Sequence, residues 1–263
     1  MSSIGVLVIG AAGRMGGELV RAIAAQDDMT LAGAVDRCRV GEDVGHVAGL
    51  GPLSVPVTDS LSKVIPEAKA DVAVDFTLPE SVMDNARAMV RARIPCVVGA
   101  TGLTPADLEE LGALCREHDT PALVAPNFAI GAVLMMQFAA QAARHFDSAE
   151  IVELHHAAKT DAPSGTALRT AELIAAAAQA QPAAAQDENL PRARGLTVGS
   201  VQIHSVRLPG LVAHQEVIFG GLGQTLSIRH DSISRESFMP GVLLAIRKVR
   251  GLSGLTVGLE KIL

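Results

Sequence analysis

The run I-G-V-L-V-I at residues 4–9, followed at once by Gly10-Ala11-Ala12-Gly13-Arg14-Met15-Gly16, constrains this chain more than any other stretch. A short apolar run bounded by glycines reads as a strand buried on both faces, the kind found in parallel sheets. Leu19, Val20 and Ile23 then recur at helical spacing over residues 17–25, so the segment is strand, glycine turn, helix. In such a unit Gly10 allows the tight turn, Gly13 lets backbone approach a pyrophosphate, and Gly16 lets the helix pack close to the strand. The spacing is G-x-x-G-x-x-G, because position 12 is Ala.

A second strand, residues 30–35, ends in Asp36. An acid there can accept hydrogen bonds from the adenosine ribose of NAD, whereas the adjacent Arg37 suits the 2′-phosphate of NADP, so both cofactors stay open. Residues 37–56 are glycine-rich with little periodicity, an excursion loop, and residues 61–68 suggest a short helix. Strand signals return at 71–76, 95–99 and 122–125. Helix starts fall at Thr77 with Pro79, and at Thr104 with Pro105 in the manner of a cap followed by proline at the first turn. Strands alternating with helices make a doubly wound parallel sheet, which binds ligands beyond its strand C-termini. That places Gly99, Ala100 and Thr101, and Ala125, Pro126, Asn127 and Phe128, on the same rim as Gly10 to Met15, with core an equal alternative for Phe128.

After a helix over residues 130–146 the character of the chain changes. The alternating strand 148–155 delivers His155 and His156 to its C-terminal end. Lys159 follows in a turn, Asp161 and Pro163 punctuate a loop, and Ser164-Gly165-Thr166 opens a helix-forming run through Ala178. Two imidazoles and an ammonium thus face a helix N-terminus, whose dipole favours anions. This is a site for a small carboxylate with proton donors beside it, although a His-His pair and one Lys are also ordinary surface residues. A metal site is not expected, since adjacent imidazoles lie on opposite strand faces and no Cys or His-x-x-x-His completes a ligand set. Residues 179–186 read as low-complexity loop or frayed helix. Three β segments, 197–208, 212–219 and 225–230, suggest an antiparallel meander whose open sheet needs a partner, expected to be another copy of the chain. The helix from Ser234 onward is expected to return to the first domain.

Composition narrows the function. Of 263 residues, 49% are hydrophobic and 19% charged, which indicates a globular chain. Aromatics are 2%, Trp and Tyr are absent, and the net charge is −6, all of which argue against nucleic acid. Cys38, Cys96 and Cys115 show no C-x-x-C spacing and are expected to be reduced thiols of a cytoplasmic protein. No signal peptide and no apolar run of bilayer length is apparent, so no membrane is expected.

The motifs G-A-A-G-R-M-G, V-D-F-T, G-A-T-G, A-P-N-F and E-L-H-H-A-A-K-T-D-A-P-S-G-T-A together resemble those of the 4-hydroxy-tetrahydrodipicolinate reductase (dihydrodipicolinate reductase) family of bacterial lysine and diaminopimelate biosynthesis. The resemblance runs the whole length, and the last motif is highly specific. It implies an NAD(P)H-dependent oxidoreductase using NADH, NADPH or both, without metal, acting on a cyclic dicarboxylate in the cytoplasm as a homotetramer built through the second domain. It implies that His155 is the acid/base group and Lys159 a proton donor, that His156, Gly165 and Thr166 contact substrate carboxylates, and that Gly10, Ala11, Ala12, Gly13, Arg14, Met15, Asp36, Arg37, Gly99, Ala100, Thr101, Ala125, Pro126, Asn127 and Phe128 contact the dinucleotide. Two departures stand out: Ala157-Ala158, where some relatives are basic, makes the pocket less cationic, and Ala100, where Thr is often found, removes a hydroxyl near the cofactor.

The fold expected is α/β: an N-terminal Rossmann-like doubly wound parallel sheet, residues 1–128 with 235–263, and a second α+β domain, residues 129–234, with an open mixed or antiparallel sheet. Closure of the two domains is expected to join cofactor and substrate. An amino-acid dehydrogenase of similar build, such as diaminopimelate or aspartate dehydrogenase, shares the nucleotide half but gives no reason for H-H-x-x-K before S-G-T. A non-enzymatic nucleotide sensor would want a DNA-binding segment, and no basic helix-turn-helix pattern appears.

Overall fold

The computed structural model describes residues 3–178 and 194–263; the stretch 179–186 lies outside them. The chain divides into two compact units, residues 1–128 with 238–263, and residues 129–237.

The first unit runs β1 (Ile4–Ile9), α1 (Arg14–Ala24), β2 (Met29–Val35), α2 (Val44–Val47), β3 (Val57–Thr58), α3 (Leu61–Val64), β4 (Val72–Asp75), α4 (Pro79–Arg91), β5 (Cys96–Val98), α5 (Pro105–Glu117) and β6 (Ala122–Val124). The second unit follows with α6 (Ile130–Ala142), β7 (Ser148–His155), α7 (Gly165–Ala177), β8 (Leu196–Val198), β9 (Val201–Arg207), β10 (Ala213–Gly221) and β11 (Gln224–Ser232). The chain then returns to the first unit as α8 (Met239–Val249) and β12 (Leu255–Val257).

The first sheet has the order β12-β6-β5-β4-β1-β2-β3, and all its pairings are parallel. The order reverses at β1, so the C-terminal ends of β1, β4, β5 and β6 share one rim. Leu7, Ile9, Ala73, Cys96 and Val98 pack with Val82, Ala86, Met89 and Val90 of α4 and with Leu111 and Cys115 of α5. Each fully buried aliphatic side chain contributes about 1.5–3 kcal/mol. Cys96 and Cys115 are buried in this core and Cys38 is exposed, all three as free thiols. α5 begins on a capping box in which Thr104 and Asp107 satisfy each other's backbone N–H groups. Thr77, by contrast, does not cap α4. Asp75 accepts from its N–H at 2.7 Å and its hydroxyl at 2.6 Å, so Leu78 is the N-cap.

The second sheet is mixed, in the order β11-β10-β7-β9-β8. The expected meander is therefore corrected. β7 lies between β9, which runs parallel to it, and β10, which runs antiparallel. The segment expected as one strand over 197–208 is two, turned by Gly199-Ser200 with Gly199 at φ 59°. Local turn signals place hairpins but not the strand that inserts between them. One sheet face, with Ala149, Ile151, Val201, Ile203, Val217 and Phe219, packs on Met135 and Ala139 of α6 and on Ala167, Ala171 and Ile174 of α7. The side chains that alternate with these, including Val152, Leu154, His204 and Ile218, lie on the opposite face and stay partly exposed. Among the described residues no helix is long and apolar enough to cross a membrane.

Candidate active site

The glycine turn has the geometry its spacing predicts. Gly10 sits at φ 85°, and a Cβ there would stand 2.9 Å from the Phe76 carbonyl oxygen. A Cβ on Gly16 would stand 2.0 Å from the Gly10 carbonyl, so any side chain would push α1 off the strand. Gly13 is the N-cap of α1 with extended backbone, and no side chain caps the helix. The positive end of α1 is thus presented over a turn that side chains would obstruct, which fits a dinucleotide pyrophosphate.

Asp36 accepts hydrogen bonds from the N–H of Ala12 at 2.9 Å and of Cys38 at 2.8 Å, tying the end of β2 to the turn. Arg14 and Arg37 are exposed and make no ion pair among the described residues, whereas Arg39 is bound by Glu42 through two hydrogen bonds of 2.6 and 2.7 Å. Across the rim, a Cβ on Gly99 would meet the Phe76 ring at 2.2 Å. Ala100 and Thr101 follow Gly99, and Ala125, Pro126 and Asn127 follow β6, all at the C-terminal edge of the sheet. Ala11 is wholly buried. Phe128 is core: it is 3% exposed and packs edge-on against Phe76 with centroids 5.9 Å apart, so a cofactor contact there would fall to its backbone. Phe76 and Thr77 were missed as rim residues, although they stand in the V-D-F-T motif at the end of β4. Asp75 beneath them is buried, and that burial pushes its carboxyl up against hydrogen bonds from Thr77 and Asn85.

In the second unit, β7 ends at His155, and its Nδ1 lies 2.5 Å from Glu153 Oε2. Glu153 is fully buried and receives Arg207 through both guanidinium nitrogens, at 2.9 Å to Oε2 and 2.7 Å to Oε1. Burial pushes the Glu153 carboxyl up, but hydrogen bonds from Arg207, Ser205 and His155 hold it below the usual carboxylate value. Burial likewise pushes the His155 imidazole down, Glu153 opposes this, and the charges of Lys159 and Arg207 add to the lowering. Lys159 Nζ reaches both oxygens of Asp161, at 2.7 and 2.8 Å.

His156, one residue on, is partly exposed and has no side-chain partner among the described residues. Ser164 caps α7 by accepting from the Ala167 N–H at 3.2 Å, and its own N–H donates to Glu153 Oε1 at 3.3 Å. Gly165 and Thr166 therefore form the first turn of α7. A Cβ on Gly165 would meet nothing within 4 Å, so the space beside this residue is open. The structure ties His155, through Glu153, to the start of α7, and the Lys159 charge in the following turn acts on the imidazole. Reading the sequence missed Glu153 and Arg207. Glu153 was visible as an acid at a core position of an alternating strand, but Arg207 is 54 residues away. Among the described residues no cluster of His, Cys, Asp and Glu could hold a metal.

Residues 4–128 match the family described as dihydrodipicolinate reductase, N-terminus, and residues 131–263 its C-terminus counterpart. The chain belongs to the dihydrodipicolinate reductase family. The 4-hydroxy-tetrahydrodipicolinate reductase of Moorella thermoacetica is 51% identical, with 100% of this chain and 99% of the relative covered. That of Gloeobacter violaceus is 50% identical over 99% of this chain and all of its own. Among solved structures, dipicolinate-bound dihydrodipicolinate reductase from Paenisporosarcina sp. TG-14 superposes with a TM-score of 0.87 at 41% identity, covering 99% of this chain and 100% of that one. As a dihydrodipicolinate reductase family member the chain is an NAD(P)H-dependent oxidoreductase of lysine and diaminopimelate biosynthesis, and the sensor alternative falls. Amine dehydrogenase from Mycobacterium smegmatis, at 16% identity and a TM-score of 0.69, shares the fold alone.

Proposed function

We propose that this chain reduces 4-hydroxy-tetrahydrodipicolinate to tetrahydrodipicolinate, with the proton handled by His155 and the dicarboxylate held by Lys159, His156 and the first turn of α7 at Gly165 and Thr166. The observation that carries this reading is the His155 imidazole anchored by Glu153, whose other oxygen accepts from the Ser164 N–H at the start of α7, with Lys159 in the turn that follows. A carboxylate at that helix end meets the positive end of the dipole. The Lys159 ammonium supplies a positive charge whose attraction strengthens as negative charge develops on the reacting ring. Ala157 and Ala158 are exposed and add no charge, so binding rests on fewer cations.

The dinucleotide is assigned to Gly10, Ala11, Ala12, Gly13, Arg14 and Met15, with Gly99, Ala100, Thr101, Ala125, Pro126, Asn127 and the Phe128 backbone along the rim. Reduced nicotinamide supplies the hydride when bound. Asp36 supports NADH and Arg37 supports NADPH, so both are taken as substrates. The homotetramer is assigned to the partly exposed face of the second sheet, which needs cover, and the compartment to the cytoplasm.

The test is oxidation of NADH and of NADPH followed by absorbance with 4-hydroxy-tetrahydrodipicolinate, against oxaloacetate plus ammonia. Turnover with the first substrate alone is expected; turnover only with the second would point to an amino-acid dehydrogenase instead.

A further inference from the structure

A buried carboxylate in a strand is costly unless it is paired, and Glu153 is wholly buried. Its contacts show what it organises. Oε2 faces His155 Nδ1 at 2.5 Å, Oε1 accepts the Ser164 N–H at 3.3 Å, and Arg207 neutralises both oxygens. The same guanidinium donates to the Asp161 carbonyl at 2.7 Å, and so reaches the loop whose Asp161 side chain holds Lys159. One carboxylate therefore fixes the imidazole, the start of α7 and, through Arg207, the Lys159 loop.

Donor and acceptor roles follow from charge. An ionised carboxylate only accepts, so Nδ1 of His155 must carry the hydrogen in this contact. Nε2 is then the ring atom left to exchange a proton. The charged groups that act on the imidazole are Glu153 on its own strand, Lys159 from the following turn and Arg207 from β9. Its antiparallel neighbour on β10 is Ala213, and the first turn of α7 adds no titratable side chain.

We propose that Glu153, neutralised by Arg207, is the positioning residue of the reaction: it holds His155 in the Nδ1–H form so that Nε2 passes the proton to substrate. This rests on the assignment of His155 above. In the step, the Nε2–H bond breaks as the substrate gains that proton, and the hydride comes from the reduced nicotinamide of the family's activity. The imidazolium becomes neutral imidazole, the Nδ1–H···Glu153 bond persists, and Glu153 stays ionised.

The test compares wild type with Glu153→Gln in the full chain, using ¹⁵N-histidine NMR, with the His155 signal identified by its loss in His155→Gln, and pH–rate profiles. The Nδ1–H tautomer is expected in wild type. In Glu153→Gln it should give way to a mixture, the His155 midpoint should move down, and kcat should fall by roughly 10- to 100-fold with KM for substrate little changed, a smaller loss than the ~10²–10⁴ of removing an acid/base group.

Should Glu153→Gln leave the Arg207 charge without its carboxylate and fail to fold, Glu153→Gln with Arg207→Met removes both charges and is read by its tautomer, which should again be a mixture. An unchanged tautomer and midpoint, or an unchanged kcat, overturns the proposal. The assignment of His155 itself falls only if His155→Gln also keeps its kcat, so the two failures are distinguishable.

Discussion

Lys159 and Asp161 form a two-oxygen ion pair at 2.7 and 2.8 Å, two residues apart in the loop between β7 and α7. Asp161 is exposed, and pairs of this kind contribute ~0–1 kcal/mol, little enough for a substrate carboxylate to compete for the ammonium. Lys159→Ala should therefore lower kcat and raise KM, because the charge acts on bound substrate and again in the transition state. Asp161→Asn should change KM with little effect on kcat. Steady-state kinetics of the two variants checks both, and a Lys159→Ala enzyme with wild-type constants would count against its role.

His155→Gln should lose ~10²- to 10⁴-fold in kcat, since the acid/base group acts in the transition state. His156→Ala should act mainly on KM. NADH binding, measured by fluorescence, should be unchanged in both because the glycine turn lies in the other unit.

The pH dependence has a definite sign. His155 titrates below its ordinary value near 6.5, because burial and the charges of Lys159 and Arg207 outweigh Glu153. A reaction needing the protonated imidazole should lose kcat/KM as pH rises, with a midpoint below that value. Two bound carboxylates favour the charged ring, so the midpoint in kcat should lie higher, and substrate binding near neutral pH should take up a proton. Coincident midpoints would argue against this placement of the dicarboxylate.

Gly165→Ala isolates the helix end. The open space around it leaves the fold undisturbed, and Ala at a helix position is better than Gly by roughly 0.5–1 kcal/mol. The melting temperature should hold or rise while KM for substrate increases, as the methyl group crowds the approaching carboxylate. An unchanged KM would remove Gly165 from the substrate contacts.

Arg37→Ala should weaken NADPH far more than NADH, through loss of a charge-assisted phosphate contact. Equal losses would sink the assignment. Ile218→Glu, on the partly exposed sheet face, should shift sedimentation from tetramer to smaller species; an unaltered tetramer would place the interface elsewhere.

The sequence by itself determined the elements whose signals are local. Residues 4–9 with Gly10, Gly13 and Gly16 dictate strand, turn and helix, because a Cβ at Gly16 has no room and φ at Gly10 is positive. Lys159 and the start of α7 at Ser164-Gly165-Thr166 stand within a dozen residues of His155, so their grouping was legible too. What the tertiary structure alone decided is what lies beside β7. The insertion of β7 between β9 and β10 puts Arg207 opposite His155 in the ladder and a guanidinium on Glu153. No periodicity encodes that pairing, since a strand's pattern fixes which side chains share a face but not which strand lies next to it. An acid at a core position of an alternating strand shows only that some cation must come to it, and the fold determines which one.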